Sequence, residues 1–92
     1  MKKNGPRSPE DGSIAKSFGK VLKQLRQKRG LSQEELAFES GYHRTYISLL
    51  ERGKKSPSLQ TIFQLAKALN MEPSEIVERV QSGDVARSKK QP

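Results

Sequence analysis

The segment from Ser32 to Gly53, SQEELAFESGYHRTYISLLERG, constrains the fold most, because its apolar spacing predicts two short helices joined by a tight turn. Gly41 follows the first of these helices, where the chain needs a left-handed conformation that residues with a Cβ adopt at a steric cost. Ala37 lies mid-helix, where a small side chain lets the second helix cross closely. On that second helix, Ile47 and Leu50 place two apolar side chains on one face, which leaves the opposite face free.

Capping residues and apolar stripes predict three further helices, so the expected fold class is all-α with five helices. Ser32 and Glu35 form a capping-box pattern at the second helix, and the third begins near His43 and ends at Gly53. The first helix is predicted to begin at Ser13 or Ser17 and to end at Gly30. Pro57-Ser58 precedes the start of the fourth helix, and Pro73-Ser74 precedes the start of the fifth. The predicted stripes are Ile14, Phe18, Val21, Leu22 and Leu25 on the first helix, Leu59, Ile62, Leu65, Ala66 and Leu69 on the fourth, and Ile76, Val77 and Val80 on the fifth.

The two ends of the chain differ in composition from the middle. Residues 1–12 and 83–92 are rich in polar, charged and helix-breaking residues, so we expect disordered tails around one domain at 13–82. Ninety-two residues allow a single domain with a modest core. The tails carry a net charge of +3, which leaves +5 in the domain itself.

The formal net charge of +8 indicates a polyanionic partner, because Lys and Arg release condensed counterions when they neutralise phosphates. Anionic membranes would also attract such a chain. No apolar run approaches the roughly 20 residues of a membrane-spanning helix, and the start, MKKNGPRSPEDGS, lacks the apolar region of a signal peptide. We therefore expect a cytoplasmic protein without a membrane partner. Cysteine is absent, which excludes disulfides and thiolate metal sites.

The pattern of Gln33, Ala37, Gly41, Ile47, Glu51 and Gly53, followed by SPSLQTIFQLAKALN, resembles the Cro and lambda-repressor-like helix-turn-helix family, also called XRE-like. The resemblance covers roughly Phe18 to Val80. The segment from His43 to Gly53 is also similar to the small controller proteins of restriction-modification systems. The resemblance implies a five-helix DNA-binding domain whose third helix enters the major groove.

Helical geometry shows which side chains of the third helix are available to DNA. At about 100° per residue, Ile47, Leu50 and Glu51 face inward, while Thr45, Leu49 and Arg52 face roughly the other way. In the family the amino-terminal end of this helix touches base edges, which implies base contacts by Arg44, Thr45, Tyr46, Ser48 and Leu49. An arginine fork suits guanine O6 and N7, and threonine can donate, accept or contact a thymine methyl. An alternative for Leu49 is packing against the fourth helix.

The resemblance also implies phosphate contacts beside this helix, at Gln33, Arg52, Lys54 and Lys55. An ordinary solvated loop is the alternative for Lys54 and Lys55. His43 departs from the small capping residue often found at this position in the family, and its expected role is a helix cap or a phosphate contact. Arg26 and Glu51 match an Arg and a Glu that pair between the first and third helices in phage repressors. Their expected role is a structural ion pair.

An excess of apolar side chains near the carboxyl end predicts a homodimer interface at Met71, Ile76, Val77 and Val80. Family members of this size commonly pair through that region, which places two recognition helices about 34 Å apart, one turn of DNA. The alternative is that these side chains complete the core of the monomer.

The sequence as a whole predicts a sequence-specific DNA-binding transcriptional regulator that binds a double-stranded operator as a homodimer. The alternative is an antitoxin-type module that binds a protein toxin as well as its own operator. An enzyme is not expected, because one histidine, no cysteine and scattered carboxylates provide neither a nucleophile with its base nor a metal-ligand cluster. No cofactor and no small-molecule ligand are indicated.

Overall fold

The computed structural model describes residues 9–89, with the side chains of residues 14–83. It contains five helices and no strand within residues 9–89, which confirms the all-α prediction. The helices are α1 (Pro9–Lys28), α2 (Gln33–Ser40), α3 (Arg44–Glu51), α4 (Leu59–Ala68) and α5 (Pro73–Lys89). Residues 1–8 and 90–92 of the predicted tails lie outside the described residues.

The outer limits of α1 and α5 differ from the predicted ones. The first helix begins at Pro9 instead of Ser13 or Ser17, and the last continues to Lys89, past the predicted domain limit at Ser82. Residues 9–12 and 83–89 are therefore helical, where composition predicted disorder. Proline is accepted at a first helical position, and an existing helix gains one backbone hydrogen bond per added residue without burying apolar surface.

The ends of α2 follow the sequence signals closely. Ser32 Oγ accepts a hydrogen bond from Glu35 N at 3.0 Å, and Ser32 N donates to Glu35 Oε1 at 2.8 Å. This is the predicted capping box. At the other end Gly41 has φ 83°, and Tyr42 N donates to Ala37 O at 2.9 Å. The left-handed glycine turns the chain sharply, so that α3 starts only a few residues after α2 ends.

All five helices contribute to one core, which holds α3 in place. The largest fully buried side chains are Leu22 of α1, Leu36 of α2, Ile47 and Leu50 of α3, Leu65 of α4 and Ile76 of α5. Helix α1 packs against α3 and α5, α2 packs against α3 and α4, and α4 packs against α5. The third helix thus packs mainly on α1 and α2.

Several large apolar side chains are exposed. On α1 and α4, Ile14 at 60% and Leu59 at 69% belong to the predicted apolar stripes, so the stripe prediction is wrong at these positions. Leu59 is the first residue of α4, and Ile14 lies one turn before Phe18, where the core cluster begins in α1. Phe38 on α2 is 87% exposed.

Among the described residues, no helix combines the length and the apolar character needed to cross a membrane.

Candidate nucleic-acid interface

The third helix has one buried and one open face, as the helical geometry predicts. Ile47 and Leu50 have no exposed surface. Arg44, Thr45 and Arg52 are exposed. Because the buried face is fixed by the core, the exposed side chains at the amino-terminal end of α3 are presented on a rigid support.

Arg26 and Glu51 form the predicted ion pair between α1 and the end of α3. Arg26 Nε donates to Glu51 Oε2 at 2.6 Å and Nη2 donates to Oε1 at 3.0 Å, which is a bidentate arrangement. A third donor, Nη1, binds Leu31 O at 2.8 Å. The two side chains are only 10% and 3% exposed. The hydrogen bonds that Arg26 donates to Glu51 raise the pKa of Arg26 above its ordinary value, despite the opposing effect of burial.

Gln33 connects this ion pair to the exposed end of α3. Its Nε2 donates to Glu51 Oε1 at 3.0 Å, and its Oε1 accepts from Arg44 Nη1 at 3.5 Å. Sequence reasoning predicted a phosphate contact for Gln33 and missed the hydrogen bond to Glu51. The sequence feature that indicates this hydrogen bond is the amide side chain of Gln33 at the first position of α2, beside the end of α3.

The other side chains predicted to meet bases differ in exposure. Ser48 and Leu49 are half-buried, and Arg52 Nε donates to Ser48 Oγ at 3.3 Å. Leu49 lies apart from the core cluster. Tyr46, also half-buried, packs against that cluster and directs its hydroxyl to Thr61 on α4.

The candidate phosphate-binding residues outside α2 lie around the ends of α3. His43 occupies the N-cap position of α3, is exposed, and makes no side-chain capping hydrogen bond. The cap that sequence reasoning offered as its alternative role is therefore absent at this residue. Lys54 and Lys55 are exposed in the loop between α3 and α4, and Lys54 N donates to Leu49 O at 2.9 Å.

Sequence reasoning missed a cluster of hydroxyl groups behind α3. Thr61, only 3% exposed, places Oγ1 within 3.2 Å of Tyr42 Oη, 3.1 Å of Tyr46 Oη and 3.0 Å of Ser58 Oγ. The rings of Tyr42 and Tyr46 are tilted by 50° with centroids 5.0 Å apart. The only signal in the sequence was the spacing of two tyrosines four residues apart.

The predicted dimer residues divide into two groups. Ile76 has no exposed surface and belongs to the monomer core, so its assignment to an interface needs correction. Met71 and Val80 are half-buried against the core, whereas Val77 is 46% exposed. Phe63 on α4, which sequence reasoning did not single out, is 55% exposed. Helix α5 packs against both α1 and α4, and this packing covers Ile76.

Within residues 14–83, no group of three or more His, Asp or Glu side chains is placed to hold a metal ion. The polar clusters of this region are the ion-pair network of Arg26 and the hydroxyl cluster of Thr61.

Comparison with known proteins agrees with this geometry. A family model described as helix-turn-helix matches residues 22–76. The control protein C.BamHI of Bacillus amyloliquefaciens is 41% identical over 73 residues, which cover 78% of this chain and 90% of that protein. The crystal structure of the restriction-modification controller protein C.AhdI from Aeromonas hydrophila superposes with a TM-score of 0.66 and 48% identity, covering 67% of this chain and 94% of that one.

A second structural relative was solved on DNA. The restriction-modification controller protein C.Esp1396I, as a tetramer in complex with its natural 35 base-pair operator, matches with a TM-score of 0.69 and 28% identity. The match covers 75% of this chain and 91% of that chain. With its five helices, its turn at Gly41 and these matches, the chain belongs to the Cro and lambda-repressor-like, or XRE-like, helix-turn-helix family.

Proposed function

We propose that this protein is a sequence-specific DNA-binding transcriptional regulator that docks α3 in the major groove of its operator. The main support for the proposal is that α3 has one buried face and one exposed face. Ile47 and Leu50 are buried in the core, whereas Arg44 and Thr45 are exposed at the amino-terminal end of the helix. An α-helix fits the major groove, where each base pair presents a distinct pattern of donors and acceptors. The net charge of +8 supports binding to the phosphate backbone.

Base recognition is assigned to the exposed side of α3. Arg44 suits guanine, because its guanidinium can donate to O6 and N7 together, and its Nη1 lies 3.5 Å from Gln33 Oε1. Thr45 adds a hydroxyl and a methyl group beside it. The remaining base-contact candidates are Tyr46, Ser48 and Leu49.

Phosphate contacts are assigned to the residues around α3. Gln33 uses one amide N–H for Glu51, and an amide nitrogen carries two, so the second is suited to a phosphate oxygen. The other candidates are His43, Arg52, Lys54 and Lys55, all of them exposed. Such contacts fix the register of the protein on the duplex without selecting a sequence.

We also propose that the protein binds its operator as a homodimer, with residues 13–82 as the DNA-binding domain. The exposed side chains of Val77 on α5 and Phe63 on α4, with the half-buried Met71 and Val80, are the apolar surface that we assign to the pairing. The tetrameric assembly of the C.Esp1396I controller on its operator supports an oligomeric mode of binding. The similarity to control proteins supports an operator close to restriction-modification genes.

Selection of bound duplexes from random DNA tests this function. We expect one recovered motif made of two half-sites related by two-fold symmetry, because a dimer presents two copies of α3. Occurrence of the motif upstream of the gene for this protein would support autoregulation. Recovery of unrelated sequences with equal affinities would contradict sequence-specific binding, and a toxic protein co-purifying with the chain would favour the antitoxin alternative.

A further inference from the structure

The turn after α3 lies directly against the first helix. Gly53 closes this turn with a left-handed φ of 73°, and a Cβ added to it would come within 2.8 Å of Lys16 Cγ and 3.1 Å of Lys16 Cα. Glycine suits this position for two reasons, the backbone conformation and the close approach of α1. The backbone of Lys16 is therefore held beside the turn that follows the recognition helix.

Lys16 brings a cation from a different helix to this turn. The residue is exposed, and within the described side chains it forms no salt bridge. Its carbon stem packs over Gly53, which leaves the ammonium group in solvent, as is usual for a lysine whose stem covers other atoms. Lys54 and Lys55 follow Gly53 directly and are also exposed. Lysines from two elements thus surround one turn.

The length of α3 determines what this turn faces when the helix is docked. Eight residues make a helix about 12 Å long, and the major groove is also about 12 Å wide. When the amino-terminal end of α3 reads bases, its carboxyl-terminal end lies at the edge of the groove, which is lined by phosphates. In the proposed docking, the turn at Gly53 therefore lies beside the sugar-phosphate backbone.

The charge at this end of α3 also favours an added cation. The last carbonyl groups of a helix carry a partial negative charge, and α3 has no basic residue in its last turn. The carboxylate of Glu51 is already balanced by Arg26. Lys16 therefore adds positive charge at a helix end that by itself would repel a phosphate.

Resting on the function proposed above, we infer that Lys16 of α1 binds a phosphate of the operator beside the turn that follows α3. The ligand is a phosphate oxygen, which the ammonium group contacts as a point charge. Lys54 and Lys55 extend from a loop, whereas Lys16 extends from the helix that also contacts the end of α3 at Gly19. Its phosphate contact therefore helps to fix the register of α3 on the duplex.

The salt dependence of DNA binding tests this inference with the full chain. The probes are the duplex recovered by selection and a scrambled duplex of equal length and composition. Lys16→Gln removes the charge and keeps a long polar side chain. The loss of one phosphate contact should reduce the salt slope by about one, so the affinity ratio of wild type to variant should fall about three- to fourfold between about 50 and 200 mM salt. Lys16→Arg, which retains the charge, should keep the wild-type slope.

Lys28→Gln is the matched control. Lys28 is exposed on the same helix, but it lines a cleft with Leu69 and Arg79 on the side of α5. This variant should leave the salt slope unchanged. Urea unfolding without DNA separates a structural role from a phosphate contact. We expect Lys16→Gln to unfold like the wild type, and a loss of stability with an unchanged salt slope would overturn the inference.

Neutral phosphates locate the contact on the duplex. Single phosphates of the selected duplex are replaced by methylphosphonates, which weakens the wild type wherever a cation binds a phosphate. At the phosphate bound by Lys16, this replacement should cost Lys16→Gln no further affinity, whereas Lys28→Gln should lose as much as the wild type.

Two outcomes would overturn the inference while leaving the proposed function intact. One is an unchanged salt slope for Lys16→Gln, and the other is equal sensitivity of Lys16→Gln and Lys28→Gln at every neutralised phosphate. A wild-type protein that does not distinguish the selected duplex from the scrambled one would instead contradict the proposed function.

Discussion

Gly19 of α1 lies directly against the backbone at the end of α3, next to Glu51. A Cβ at this position would come within 2.5 Å of the carbonyl oxygens of both Leu50 and Glu51. Only a residue without a side chain lets α1 approach α3 this closely. The same region holds the Arg26 ion pair, so α1 fixes the end of the recognition helix through both a backbone contact and a charged pair.

We predict that Gly19→Ala lowers the free energy of unfolding by about 1 to 3 kcal/mol, because backbone on both sides must shift to admit the methyl group. Gly83→Ala is the matched control, since a Cβ there meets nothing within 4 Å. The control should raise stability by up to about 1 kcal/mol through better helix propensity. Urea unfolding of both variants measures the difference. Equal effects at the two positions would show that the α1–α3 contact is not tight.

We predict a larger effect when the ion pair is broken. Arg26→Met keeps most of the side-chain volume and leaves the carboxylate of Glu51, 3% exposed, without its cationic partner. The expected cost is about 3 to 5 kcal/mol. Lys23→Met, at an exposed position of the same helix, should change stability by less than about 0.5 kcal/mol. Thermal unfolding of the two variants tests this, and similar melting temperatures would contradict a structural role for the pair.

The pH dependence of the ion pair follows from the raised pKa of Arg26. A cation whose pKa is higher in the folded state stabilises the fold fully below its unfolded pKa, and the contribution disappears only as pH rises through the folded value. Both values lie far above neutrality for an arginine. We therefore expect Arg26 to add no pH dependence to the free energy of unfolding of the wild type between about pH 6 and 8, which urea unfolding at several pH values measures. A loss of wild-type stability in this range that persists in Arg26→Met would come from another titrating group.

Local signals were sufficient to predict much of the fold. The capping box at Ser32 and Glu35 and the left-handed turn at Gly41 involve residues within a few positions of one another. The burial of Ile47 and Leu50 followed from the period of a single helix. Capping residues and helical periodicity depend only on residues that are close in the chain, so they can be identified in a single sequence.

Contacts between distant segments were harder to predict. Ile76 and Val77 lie about 100° apart around α5, and only the positions of α1 and α4 determine that Ile76 is buried while Val77 stays exposed. The hydrogen bonds of Thr61 to Tyr42 and Tyr46 join residues 19 and 15 positions apart. The Arg26 ion pair was anticipated only through resemblance to phage repressors, because its spacing of 25 residues carries no periodic signal.

We predict that two basic residues near α3 contribute differently to DNA binding. Arg44→Ala should relax the preference at one base pair, at a cost of about 1 to 3 kcal/mol, whereas Lys54→Ala should weaken all duplexes alike and reduce the salt slope by about one. Titrations of matched and mismatched duplexes at several salt concentrations distinguish these effects. Equal losses on every duplex for Arg44→Ala would refute its role in base recognition.

We finally predict that the exposed side chain of Val77 lies in a homodimer interface. Val77→Glu places a charge into apolar contact surface, so it should shift the protein from dimer to monomer at micromolar concentration without unfolding it, since Val77 is 46% exposed in the monomer. Ser82→Glu is the control, because it adds the same charge at an exposed position about 140° away around α5. Sedimentation of the wild type and both variants measures the oligomeric state.

DNA binding by the same variants completes this test. A monomer presents a single recognition helix, so Val77→Glu should lose affinity for a symmetric operator while retaining binding to non-specific duplexes, which depends on phosphate contacts. Ser82→Glu should keep operator affinity within about twofold, because one exposed rim charge contributes little. A folded wild type that remains monomeric and binds one asymmetric half-site would exclude the dimer. Dissociation of the dimer by Ser82→Glu and not by Val77→Glu would place the interface on a different face of α5.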